Sequence, residues 1–162
     1  MDIQVNRTDV ETTREMTRLA DNDCWALLRS VEVGRLAVVV DGQPEIFPIN
    51  YLVDHGSIVF RTADGTKLTA ALGEGNVAFE SDGFDAVAAE AWSVLVKGTA
   101  GEIRELDELV AASLLPLAPW HGGPKHRFVR IVPGQISGRR FPVVDGSIWH
   151  NPYTLRRGSA FE

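Results

Sequence analysis

The apolar positions of the chain fall into short runs separated by turn residues, and most of the runs have strand character. Arg35-Leu36-Ala37-Val38-Val39-Val40 is rich in β-branched residues and stops at Asp41-Gly42, a dipeptide suited to a tight hairpin turn with positive φ. Gln43 to Tyr51 reads as the return strand, with Pro44 and Pro48 limiting its ladder bonds, and Asp54-His55-Gly56 turns the chain into Ser57-Ile58-Val59-Phe60-Arg61. These runs predict an antiparallel meander. Strand character returns at Asn76 to Ser81 and at Trp92 to Ala100, and the acidic, alanine-rich stretch from Asp82 to Glu90 between them is expected to be a surface loop. A last long strand is expected over Arg127 to Arg140, bent or bulged at Pro133-Gly134.

Helical spacing interrupts these strands in three places. Asp21 or Asn22 can cap a helix whose Trp25, Leu27 and Leu28 form an apolar stripe ending near Gly34. Thr66 to Leu72 switches to helical spacing between a candidate cap at Asp64 and a stop at Gly73, and Glu105 to Leu115 carries Leu106, Leu109, Val110 and Leu114 before Pro116 ends it. The stretch Pro119 to Pro124 reads as a loop. Antiparallel strands at short intervals, with a few helices set between them, predict a mainly β fold closed or nearly closed into a barrel, which removes the edges that such strands would expose. The expected organisation is an N-terminal arm over residues 1–20, one barrel domain over 21–141 and a tail over 142–162 that carries Trp149, Tyr153 and Phe161.

Composition narrows the partners. A chain of 162 residues with a hydrophobic share of 44% can bury a core without metals or disulfides. The lone Cys24 has no intrachain partner, which points to a reducing compartment and so to the cytoplasm. No basic-then-apolar leader opens the chain, and no apolar run approaches the ~20 residues that span a bilayer, so no membrane partner is expected. A net charge of -6 disfavours nucleic acid. An anionic ligand would therefore need a local cluster of donors.

Arg61-Thr62-Ala63-Asp64-Gly65-Thr66-Lys67 is such a cluster. It brings two cations, two hydroxyls and a glycine turn to the junction of a strand with a helix start, where free N–H groups and the helix dipole favour an anion such as a phosphate monoester. The alternative from pattern alone is a capped helix flanked by solvated cations. The segment is neither a Walker loop nor a dinucleotide fingerprint.

The order of motifs resembles the pyridoxamine 5'-phosphate oxidase-like, FMN-binding split-barrel superfamily, in its small bacterial branch. The matching pieces are Val33-Gly34-Arg35-Leu36-Ala37, Pro48-Ile49-Asn50-Tyr51, Phe60-Arg61-Thr62 with Gly65-Thr66-Lys67-Leu68, Val77-Ala78-Phe79-Glu80, Trp92 to Gly98, and Ile136-Ser137-Gly138-Arg139-Arg140. The resemblance implies FMN as cofactor, with Arg61, Thr66 and Lys67 on its phosphate and Pro48, Ile49, Asn50, Tyr51 and Thr62 along the isoalloxazine ring. It also implies a homodimer with flavin at the subunit interface, where the partner supplies the residues matching Trp92 and Ser93. A cation at the end of the last strand would face the site; strand alternation allows only one of Arg139 and Arg140 to do so. Without the resemblance, Trp92 reads as an inward-facing barrel residue.

Other candidates are weaker. His121 and His126 lack further ligands for a metal, and Cys24 reads as a buried structural thiol. No catalytic acid, base or nucleophile emerges from spacing. The expected function is an FMN-dependent oxidoreductase acting on a small organic substrate. The alternatives are a reductase that holds the deazaflavin F420 on the same fold, and a non-catalytic flavin- or haem-binding protein, in which His121 or His126 could serve the haem. A protein of the nitro-drug resistance type is also compatible with this branch. The true pyridoxamine phosphate oxidases have a C-terminal substrate-binding sequence that is not recognisable in Arg139 to Glu162.

Overall fold

A computed structural model describes residues 15–63, 75–117 and 126–143. The elements run β1 (Thr17–Leu19), α1 (Asp21–Arg29), β2 (Val33–Val40), β3 (Gln43–Asp54), β4 (Ser57–Thr62), β5 (Asn76–Asp85), β6 (Glu90–Glu102), α2 (Leu106–Ser113) and β7 (Arg127–Pro142). The fold is mainly β, as expected. All strand pairs are antiparallel, in the order β1-β7-β4-β3-β2-β5-β6, and a further β7–β6 pairing closes the sheet into a barrel.

The length of β7 makes this closure possible. Along one edge Val129 to Pro142 pair with β6, while the other edge is shared between β4, which takes Arg127 to Ile131, and β1, which takes Gly138 to Arg140. The register shifts between Lys97 and Gly98, which oppose Gln135 and Pro133, so Gly134 is the extra residue of a bulge at the position the sequence suggested. Asp41 and Gly42 take φ of 50° and 75°, and His55 and Gly56 take 45° and 72°, the left-handed backbone that both tight turns require.

Alternation sorts the side chains into a core and an outer face. Leu36, Ile49, Tyr51, Ile58, Phe60, Phe79, Val94 and Val96 fill the barrel, and α1 contributes Cys24 and Leu28 to the same cluster. The Tyr51 hydroxyl donates to the Leu28 carbonyl at 2.7 Å, which fixes the end of α1 against β3. A second cluster lies outside the barrel wall, where Val59 packs with Ile103, Ala112 and Leu117 beneath α2. Arg130 ties that side together: its Nη1 donates to Asp54 at 2.8 Å and to the Ser57 hydroxyl at 2.6 Å.

Several boundaries differ from the sequence reading. Thr17–Leu19, within the expected arm, forms a short strand paired with β7. The helix α1 stops at Arg29, and Ala20, not Asp21 or Asn22, holds its N-cap position; Gly34 is a strand residue. The expected loop from Asp82 to Glu90 is mostly hairpin: β5 continues to Asp85, β6 begins at Glu90, and the Asp85 carboxylate accepts hydrogen bonds from the Val87 and Ala88 amides to form the turn. The expected helix at Thr66 to Leu72, the loop at Pro119 to Pro124 and the tail aromatics lie outside the described residues.

Candidate functional site

The β3–β4 ladder ends at Tyr51↔Phe60 although both strands run on, β3 back to Gln43 and β4 forward to Thr62. The β3–β4 pairing therefore stops between Asn50 and Arg61, while Arg61 and Thr62, which open the phosphate-type segment, stay paired with β7. Six of the expected site residues meet there. Ile49 and Tyr51 point into the core, at 9% and 4% exposed, so they can present only backbone to a ligand. Pro48 and Asn50 alternate to the outer face. Arg61 projects on the Val59 side of β4, with its guanidinium 5.1 Å from the centre of the Phe128 ring, while Thr62 is buried. Thr66 and Lys67 lie outside the described residues.

Trp92, Ser93 and Arg139 form a second group, on β6 and β7. The Trp92 side chain is 8% exposed within the core and lies flat against Gly83, where an added Cβ would fall 2.6 Å from the indole. Ser93 points outward and accepts a hydrogen bond from Arg139 Nε at 3.1 Å. Together with Glu80, Leu95 and Ser137 they line a recess of about 380 Å³. Of the two arginines left open by alternation, it is Arg139 that shares this outer recess; Arg140 lies across from Trp92, with its Nε 3.9 Å from Glu90. Within one chain Pro48 to Tyr51 of β3 stand three strand spacings, about 14 Å, from β6 across β2 and β5, whereas Arg61 and Thr62 of β4 pair with β7 itself, but at Phe128 and Arg127, far along that strand from Arg139.

The outer face between them carries a charge cluster to which the sequence reading assigned no role. Arg35 of β2 donates from Nε to Glu80 at 2.8 Å and from Nη2 to Asp82. Hydrogen bonds to Asp82 and Glu80 raise its already high pKa. The partners are 45 and 47 residues away in sequence, which hides the cluster from local pattern. Burial pushes the Tyr51 phenol up to about 12, so it is a neutral hydrogen-bond donor and not an acid–base group. Burial likewise raises the Cys24 thiol pKa, consistent with an inert core residue. His126 is exposed, and His121 lies outside the described residues.

The pyridoxamine 5'-phosphate oxidase family profile matches residues 20–140. The chain belongs to that family. Among curated proteins it is similar to the uncharacterised protein Rv0080 of Mycobacterium tuberculosis, 30% identical over 139 residues that cover 83% of this chain and 91% of the relative. Among solved structures it is similar to an FAD-binding protein of Mycobacterium smegmatis, 41% identical with a TM-score of 0.67, covering 78% of this chain and 98% of that one. A Corynebacterium glutamicum protein described as a candidate pyridoxamine 5'-phosphate oxidase is 39% identical, with a TM-score of 0.73 and coverage of 80% and 96%. Among the described residues no helix is long and apolar enough to cross a membrane.

Proposed function

We propose that the chain is a flavin-dependent oxidoreductase that holds FMN where β3 and β4 diverge and acts on a small organic substrate. The observation that carries this reading is the division of the ladder after Tyr51↔Phe60, beside outward-facing Pro48 and Asn50 and next to the segment bearing Thr66 and Lys67. Family membership and the FAD-binding relative support a flavin as the ligand class. The residues suit that ligand. The β3 edge left by the end of the ladder can offer backbone groups to a planar heterocycle, and Arg61 with Lys67 can supply positive charge for a phosphate.

Bound flavin would supply hydride transfer. The chain's part is to bind and orient it. Ile49 and Tyr51 are anchored in the core, so the strand segment along the ring is rigid before any ligand arrives. Ser93 and Arg139 lie across β2 and β5 from Pro48 to Tyr51 within one chain, an arrangement that suits a homodimer whose second copy supplies them to the ring. The exposed Val39, Ile46 and Val132, at 46%, 66% and 53%, lie on the outer face that such a dimer would cover. A reduced Cys24 suits a cytoplasmic setting.

A second reading, FAD in place of FMN, is favoured by the 41% identical relative. Competition among FMN, FAD, riboflavin and F420 separates these readings. FMN is expected to bind most tightly, and Lys67→Ala is expected to weaken FMN by about tenfold while leaving riboflavin nearly unchanged, as befits one charge-assisted phosphate contact. Equal losses for both ligands would remove Lys67 from the phosphate, and tightest binding of F420 would replace the flavin reading.

A further inference from the structure

Arg35 stands near the middle of the outer face, 46% exposed, directly across from Pro48 on one neighbouring strand and from Glu80 on the other. Its guanidinium engages both Glu80 and Asp82. Asp82 is the cross-strand partner of Ser93, and Ser93 is the cross-strand partner of Arg139, so the three form one row. Two strand spacings, about 9.6 Å, separate the Asp82 and Arg139 backbones. With only the small Ser93 between them, a carboxylate and a guanidinium can meet across that gap. They do not: Asp82 turns to Arg35, while Arg139 donates to the Ser93 hydroxyl and forms no ion pair among the described residues.

We propose that Arg35 is a positioning residue: by engaging Glu80 and Asp82 it leaves the Arg139 guanidinium unpaired, steadied by Ser93, to take a carboxylate or phosphate group of a ligand on this face. The ligand half of this proposal rests on the flavin-site reading above; the pairing half does not. An arginine released from carboxylates keeps its remaining N–H donors directed outward in the planar fork that matches either anion. If Arg35 were absent, the two carboxylates would recruit Arg139 and the face would lose its available cation.

Modification of arginines by phenylglyoxal, followed by peptide mass mapping, reads this directly and without flavin. In the wild type Arg139 reacts as an unpaired arginine. Arg35→Gln slows its modification roughly two- to fivefold, the effect of one exposed ion pair, and Arg35→Gln/Glu80→Gln/Asp82→Asn restores it. Glu80→Gln/Asp82→Asn alone keeps Arg35 and leaves the Arg139 rate unchanged. An Arg139 rate indifferent to Arg35→Gln, or one that rises when Glu80 and Asp82 are neutralised, overturns the pairing. Inorganic phosphate and acetate serve as the anion probes. Protection of Arg139 by phosphate alone identifies a phosphate-bearing ligand, protection by acetate a carboxylate, and protection by neither overturns the anion-binding half. Since no flavin enters the assay, a failure here is distinct from a failure of FMN to bind.

Discussion

Gly138→Ala tests whether the closing strand is held against α1 as the packing implies. The added Cβ would lie 2.6 Å from Cys24 Sγ, 3.0 Å from Leu19 Cδ1 and 3.3 Å from Leu19 Cβ, where ordinary contact begins at 3.4 Å. The Cys24 sulfur is two bonds from the backbone of a fully buried helix residue, so relief requires α1 or β7 to move by most of an ångström. Overpacking of this kind costs about 1–3 kcal/mol. Replacing glycine in a strand returns roughly 0.5–1 kcal/mol. The expected net loss is about 1–2 kcal/mol, a Tm shift of roughly 2–8 °C for a chain of this size. Cys24→Ala removes the opposing sulfur; alone it should cost about 0.5–1.5 kcal/mol, but in the Gly138→Ala background it should cost almost nothing. Urea unfolding of the four proteins at one fixed concentration gives the coupling, expected to be about 1 kcal/mol. Losses that add to within about 0.5 kcal/mol, or a Gly138→Ala protein as stable as the wild type, would refute the close approach.

Other outcomes follow from the hydrogen-bonded core and its edges. Tyr51→Phe removes the donor to the Leu28 carbonyl and should destabilise by about 1–3 kcal/mol in the same unfolding assay. The Tyr51 phenol is raised, so the stability tied to its neutral form is present below the ordinary value of about 10 and lost as pH rises through about 12. Alkaline difference absorbance should therefore lose its highest-pH component in Tyr51→Phe. Burial would raise the Asp54 carboxyl, but hydrogen bonds from Arg130 and His55 outweigh it and hold the pKa below the usual value. The Asp54 contribution is then present above about pH 4 and lost as pH falls through the depressed folded value, so the stability profile of Asp54→Asn should be flatter below about pH 4 than that of the wild type.

What was legible in the sequence follows from which residues announce their environment locally. The strands β2 to β4 were readable because β-branched runs abut Asp-Gly and His-Gly turns, and the bulge in β7 because Pro133-Gly134 interrupts an otherwise regular run. The β5–β6 hairpin was not. Asp82, Phe84 and Asp85 are all exposed, so this stretch lacks the in-and-out alternation that marks a half-buried strand and is held by its long ladder with β6. For the expected site residues, the face that each strand presents was not legible. Tyr51, expected along the ring, has its side chain in the core, which leaves its backbone for such a contact. Arg139 could be separated from Arg140 only once the register set it beside Ser93. Arg35 was visible as a motif letter, but its meaning depends on carboxylates of the adjacent strand β5 that lie 45 and 47 residues away in sequence.

The central claim is that this barrel carries a flavin nucleotide at the β3–β4 division. Titration of the purified full-length protein with FMN, followed by absorbance and by quenching of flavin fluorescence, tests it most directly. The expected result is saturation at one FMN per chain, with the resolved double absorption band of a bound flavin. A protein that stays colourless and leaves FMN fluorescence unquenched, or that instead copurifies with a Soret band, would contradict the account.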